Sequence, residues 1–319
     1  DITNNITKPK NSLFEIENIS DGDLLFLIKK NLLARNPFWY DVISRINIYT
    51  DKKFPYPAAL AFNYKLISFE FIWNPEFFRM LLEAELTQNV ETNQSENYED
   101  ALFKLSNILV HEVLHYCLEH HKRWFRLENI DIKDFLSDLK DKKALKKYIK
   151  QHALQYIFNI SIDLPTNQLV GYDNFIDQVV LKNGMPIDMV KHTLFNVPPN
   201  LAFEEYYNLL RKQQESDIDK FVDDVMKVIN AIQNHDFGND NSNPEKQDGS
   251  NEESDSEIRT LIDKSLTDII RDAKNSNPGN VPGNVQQLID LLLKQSEIPW
   301  QRVLKQFVAS QSKARKNFY

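Results

Sequence analysis

The stretch ILVHEVLHYCLEHHKRW, residues 108–124, holds four of the seven histidines of the chain: His111, His115, His120 and His121. Its HEVLH segment fits the pattern His-Glu-x-x-His. Residues four apart on a helix stand about 40° apart around the axis and about 6 Å apart along it, so two imidazoles can converge on one ion. Glu112 projects beside such an ion, where it can take a proton from water. Zinc, one per chain, is the expected metal, because it is content with two imidazoles and a carboxylate. The plain alternative is a pair of helix histidines satisfied by backbone or water, with Glu112 on the solvated side.

A hydrolytic zinc site needs a third protein ligand. His121 stands six residues after His115, the spacing of the metzincin pattern, but Leu118 occupies the position of that pattern's glycine. On an unbroken helix His121 lies about 9 Å further along the axis than His115 and about 120° around from it. His120 falls about 180° from His111. YCLEHHKRW contains no helix breaker, so both are expected behind the ligands or at the surface, and the metzincin reading is rejected. Cys117 points about 160° away from His115 and reads as a core residue. The third ligand must come from another helix. FNISIDLPTNQL offers Asp163 at the end of an apolar helical stretch. On spacing alone, a carboxylate that caps the helix or faces water explains Asp163 better than a ligand does.

The elements that must position these groups follow from periodicity. DGDLLFLIKKNLL and FWYDVISRI have helical spacing. INIYT and PAALAFNYKLISFEFIW are rich in β-branched and aromatic residues, with NYK as the turn between two strands. Asn74 caps a helix that has Pro75 at its first position. The polar loop TQNVETNQSEN leads into a long helix over Tyr98 to Phe125, with Leu102, Leu105, Leu109 and Leu118 as core candidates. Another helix spans about Lys142 to Ile162, and Pro165 limits its continuation. LAFEEYYNLLRKQQ and DKFVDDVMKVINAI are further helices, as are three segments beyond residue 257. The fold class expected is α+β: a helix-rich domain with a small, hairpin-containing β-sheet, followed by a helical C-terminal segment.

Composition narrows the class. Asp236 to Glu257 carries eight acidic residues and one lysine, which accounts for −7 of the net charge of −8 and leaves the rest at about −1. A nearly neutral body argues against nucleic-acid binding. No apolar run reaches the length of about eighteen residues that a membrane-spanning helix needs, so no membrane span is expected. The opening DITNNITKPKNS does not read as a signal peptide. With one cysteine, Cys117, an intrachain disulfide is impossible and a cytoplasmic, reducing home is the default. The domain boundaries expected are a folded core over residues 1–234, an acidic mobile linker over 235–257 and a helical tail over 258–319. KKALKKYIK reads as a solvated helix face, with an anionic surface as the lesser alternative.

Several landmarks in order resemble a known family. AFNYKLISFEFIWNPEFF is similar to its strand pair ending in an Asn-Pro-Glu helix start, and HEVLHYCLEHH to its His-Glu-x-x-His segment with a trailing histidine pair. NISIDLPTNQL is similar to its Asn-x-x-x-Asp-x-x-x-Asn element through Asn159, Asp163 and Asn167, although the closing Leu falls one place early at Leu169, with Val170 in its slot. FEEYYNLL and IPWQRVLKQFV match later helices. The family is the N-terminal metallopeptidase domain of bacterial and phage proteins that carry a von Willebrand A-like domain behind it. The resemblance implies that residues 1–234 form a helix-rich minimal zincin-like metallopeptidase core, with His111, His115 and Asp163 as metal ligands and Glu112 as catalytic base. Asn167 would orient the Asp163 carboxylate or touch substrate. The family usually has Gly where Glu119 stands, and Tyr319 falls where its A-like domain would begin.

The expected function is zinc-dependent hydrolysis of peptide bonds in a protein or peptide substrate. LISFEFI or ALAFN, whichever lies at the sheet edge, would hold an extended peptide by strand addition. Tyr116, Tyr206 and Tyr207 are candidate helpers at the oxyanion. The alternative is a non-catalytic interaction module with a retained zincin core, docking a partner such as the MoxR-type AAA ATPase that the resemblance suggests.

Overall fold

Alternation of apolar residues shapes the sheet on which the histidine helix rests. In this computed structural model, which describes residue 16 and residues 18–63, 66–91, 98–120, 142–228 and 252–295, β1 (Asn47–Thr50), β2 (Ala58–Asn63) and β3 (Ser68–Trp73) form a sheet in the order β1-β3-β2. β1 runs parallel to β3 and β2 antiparallel to it, with Phe62 opposite Phe69, Leu60 opposite Phe71 and Ala58 opposite Trp73. These six side chains are the buried ones on their strands, because period-two alternation puts them all on one face. β3, within LISFEFI, is therefore the central strand, and of the two stretches considered for the edge only ALAFN holds one.

Two helices, α1 (Asp21–Arg35) and α2 (Pro37–Ser44), precede the sheet and α3 (Pro75–Glu91) follows it. α3 starts where its cap is expected: the Asn74 side chain accepts from the backbone N–H groups of Glu76 and Phe77. It runs on to Glu91, through the start of the stretch read as a polar loop. α4 (Tyr98–Cys117) then carries the histidines, and every residue from Leu109 to Cys117 is buried. A helix buried on all sides sits in the middle of its domain.

The segment expected to be one helix from Lys142 is two, α5 (Lys142–Gln151) and α6 (Ala153–Val170). α6 continues five residues past Pro165, contrary to the limit that proline was expected to impose. Proline removes one helical hydrogen bond, but apolar packing holds this helix before the gap through Ile160 and Leu164 and after it through Leu169 and Val170, and Thr166 Oγ1 and Gln168 Nε2 reach back to the carbonyls of Ile162 and Leu164. α5 lies against α8 (Ile218–Val228), where Lys146 and Lys150 pair with Asp223 and Asp219. Two of the lysines in the run thus face acids of a neighbouring helix.

The buried apolar residues fall into two main clusters. One joins α1, α2, the sheet, α3 and α4 with α9 (Glu252–Ser276) and α10 (Gln286–Gln295); the other joins α5, α6, α7 (Phe203–Ser216) and α8. A two-stranded hairpin, β4 (Val179–Val180) and β5 (Pro186–Ile187), completes a helix-rich α+β fold. No described helix is long and apolar enough to cross a membrane. The acidic run from residue 236 to 251, His121 and the final IPWQRVLKQFV stretch lie outside the described residues.

Candidate metal centre

The site forms where the two cores meet. α6 gives Tyr156, Ile157, Ile160 and Leu164 to one core and turns Asn159, Asp163 and Asn167 out along a polar stripe of successive helical turns. All three are at least 98% buried. α4 brings His111 and His115, whose side chains meet Asp163: its Oδ1 lies 3.5 Å from His111 Nε2 and 3.4 Å from His115 Nε2. The two Nε2 atoms are 2.8 Å apart, and one ligand atom from each of the three residues falls within a span of 4.8 Å.

The donor set fits a transition-metal ion. Bonds of about 2.0–2.1 Å in tetrahedral geometry separate ligand atoms by about 3.3 Å, close to the two separations that involve Asp163. The shorter spacing between the imidazoles would open by a few tenths of an ångström. Two imidazoles and one carboxylate, exposed by only 7%, 1% and 2%, make a costly arrangement unless something pairs with the charge they share. Glu112 is 4% exposed. The reading that placed it on a solvated face is thereby excluded.

α4 does not run on to Phe125. It ends at Cys117, and Glu119 adopts the left-handed conformation with φ of 59° while its N–H bonds the carbonyl of Tyr116. This is a helix-terminating geometry that favours glycine, the residue the resemblance places there. The break changes the route but not the outcome for His120, which lies behind a ligand as expected: it is 1% exposed with its Nδ1 2.8 Å from His115 Nδ1. Replacing Glu119 by glycine should stabilise the fold by about 1 kcal/mol, net of the greater freedom of glycine in the unfolded chain. Chemical denaturation would show this as a raised midpoint at constant slope, and a lowered midpoint would contradict it.

The rest of the rim lies in a segment that periodicity did not resolve. Gly171 ends α6 at φ of 93°, where an added Cβ would sit 2.9 Å from the Asn174 side chain. That turn lets the Asn174 carbonyl accept from Asn107 Nδ2, one helical turn before His111, and sets Phe175 edge-on to the His111 ring at 6.0 Å. Asn167 donates to the Val190 carbonyl instead of acting on Asp163, and its Oδ1 is buried with no hydrogen-bond partner. Two of the tyrosines considered for the oxyanion are committed elsewhere: Tyr116 donates to the Leu60 carbonyl, and Tyr206 Oη accepts from Gln168.

Cys117 is buried at the end of α4, and burial pushes its thiol up to about 12. It should therefore resist an aromatic disulfide reagent at pH 8 until the protein unfolds, followed as thiolate release at 412 nm on the order of 10² or more slower than a free thiol. Fast labelling of the native protein would show that this end of α4 opens readily.

No curated protein and no solved structure matches the chain. A protein-family model described as "Putative metallopeptidase domain" matches residues 102–318, which takes in most of α4, all of α6 and all three residues of the buried His-His-Asp group. With that match over more than half of its length, the chain belongs to this metallopeptidase-domain family.

Proposed function

We propose that the protein is a zinc-dependent endopeptidase in which His111, His115 and Asp163 hold the metal and Glu112 acts as general base. The convergence of two buried imidazoles and a buried carboxylate beside a buried glutamate carries this reading. Zinc, when bound, supplies a Lewis acid for the peptide carbonyl and acidifies water to a pKa of about 7. The three ligands carry one negative charge between them, so the centre keeps a net positive charge that favours a developing oxyanion. Glu112 takes the proton of the attacking water and delivers it to the leaving amine. β2, at the edge of its sheet, is suited to align an extended peptide by strand addition.

Burial of the site supports a second element of the proposal. The most exposed of the three ligands is His111, at 7%, so little of the group itself is open to an extended peptide, and a wider opening would favour its entry. A docking partner, for which the family resemblance suggests a MoxR-type AAA ATPase, would supply that opening. If the protein never cleaves, the same docking would be its whole function, with the zincin core as scaffold. The test is cleavage of an unbiased peptide library by the zinc-loaded protein, with and without such a partner, each repeated in chelator. Cleavage abolished by chelation supports the peptidase; none under any condition leaves the interaction module.

A further inference from the structure

We infer that His120 is a positioning residue that fixes the tautomer and ring orientation of His115, a role that rests on the metal reading above. An imidazole that ligates through Nε2 keeps its proton on Nδ1, and the partner of that N–H sets how the ring is aimed. Here the partner atom is His120 Nδ1, at 2.8 Å. His115 Nδ1–H donates and His120 Nδ1 accepts, which leaves the proton of neutral His120 on its own Nε2. His120 is not a fourth ligand, because it meets His115 on the far side of the ring from the Nε2 that faces His111 and Asp163.

The surroundings make His120 a firm support. It is 1% exposed, and its ring lies 5.9 Å from that of Phe203 in the first turn of α7, which in turn packs edge-on against Phe158 of α6 at 5.4 Å. The left-handed Glu119 brings it there by ending α4 and folding the chain back. The helix carrying His115 and the helix carrying Asp163 are thus linked through His120 and then Phe203 of α7. The usual partner of a ligating histidine is a carboxylate or a backbone carbonyl. A neutral imidazole in that place accepts the hydrogen bond without adding charge to the centre.

Two polar substitutions test this in the full chain. In His120→Asn the side-chain oxygen falls near the position of Nδ1 and keeps an acceptor for His115. In His120→Gln the amide reaches the position of Nε2 and leaves Nδ1 unreplaced. Zinc affinity, measured by competition with a chromogenic chelator, should stay within about threefold of wild type in His120→Asn and weaken by about 10–100-fold in His120→Gln. The visible absorption of the cobalt-loaded proteins should follow the same order, with shifted bands only in His120→Gln. Wild-type affinity in both variants would overturn the inference. So would equal weakening in both, matched by equal loss of thermal stability of the zinc-free proteins, since that is the signature of packing alone. A wild-type protein that binds no zinc would instead remove the metal reading itself, and this inference with it.

Discussion

Asp163→Ala should take the protein from about one zinc per chain to almost none, with affinity weakened by on the order of 100-fold or more, beyond the 10–100-fold typical of an outer hydrogen-bonding partner. The carboxylate is the only one of the three donors that brings negative charge, and its Oδ1 is the atom within 3.5 Å of both histidine nitrogens. Removing it leaves two imidazoles on one helix, a pair that offers an ion only half of a tetrahedron. Elemental analysis of wild type and variant, purified side by side, reads the outcome directly. The rival explanation of the same contacts is an ion pair between Asp163 and a protonated histidine, with no metal involved. That rival gives no zinc in the wild type even after reconstitution, and a variant destabilised by a few kcal/mol through its unpaired buried histidine. Zinc content unchanged by Asp163→Ala would remove Asp163 from the centre.

What could be read without coordinates depended on how local the cause was. His111, Glu112 and His115 are set by one helix, so their spacing alone implies convergence. Asn74 and Pro75 announce the start of α3 because a cap acts within three residues. Asp163 had two readings on spacing alone, since its partner helix lies some fifty positions earlier and only packing aligns the stripe from Asn159 to Asn167 with α4. His120 was expected behind the ligands or at the surface, and it does lie behind His115, but by a route that helical projection missed. The turn that folds it back occurs at a glutamate, whose left-handed conformation is imposed by the surroundings and leaves no mark in residue type. Pro165 misled in the opposite direction, because apolar packing along α6 outweighs one missing hydrogen bond. Gly171, by contrast, is a signal that was present: its positive φ and its close approach to Asn174 mark where α6 must stop and the rim begin.

Glu112→Gln should keep the zinc and lose the chemistry. Glutamine matches glutamate in shape and can hydrogen-bond in the same place, but its amide cannot accept a proton at neutral pH. Peptide cleavage, measured at saturating substrate, should fall by about 10²–10⁴-fold, the range that a positioned general base contributes. Zinc content should stay near that of the wild type, because a residue about 60° around the helix from His115 does not converge on the ion with the two histidines. The pairing of the two readouts decides the role. A protein that uses its metal only as a brace requires His111, His115 and Asp163 and gains nothing from a base, so the substitution would leave partner binding and stability where they were. Loss of zinc and cleavage together would make Glu112 part of the support of the centre. Glu112 is 4% exposed and next in sequence to His111, so cleavage that falls while the metal stays assigns it to proton transfer and not to the support of the centre.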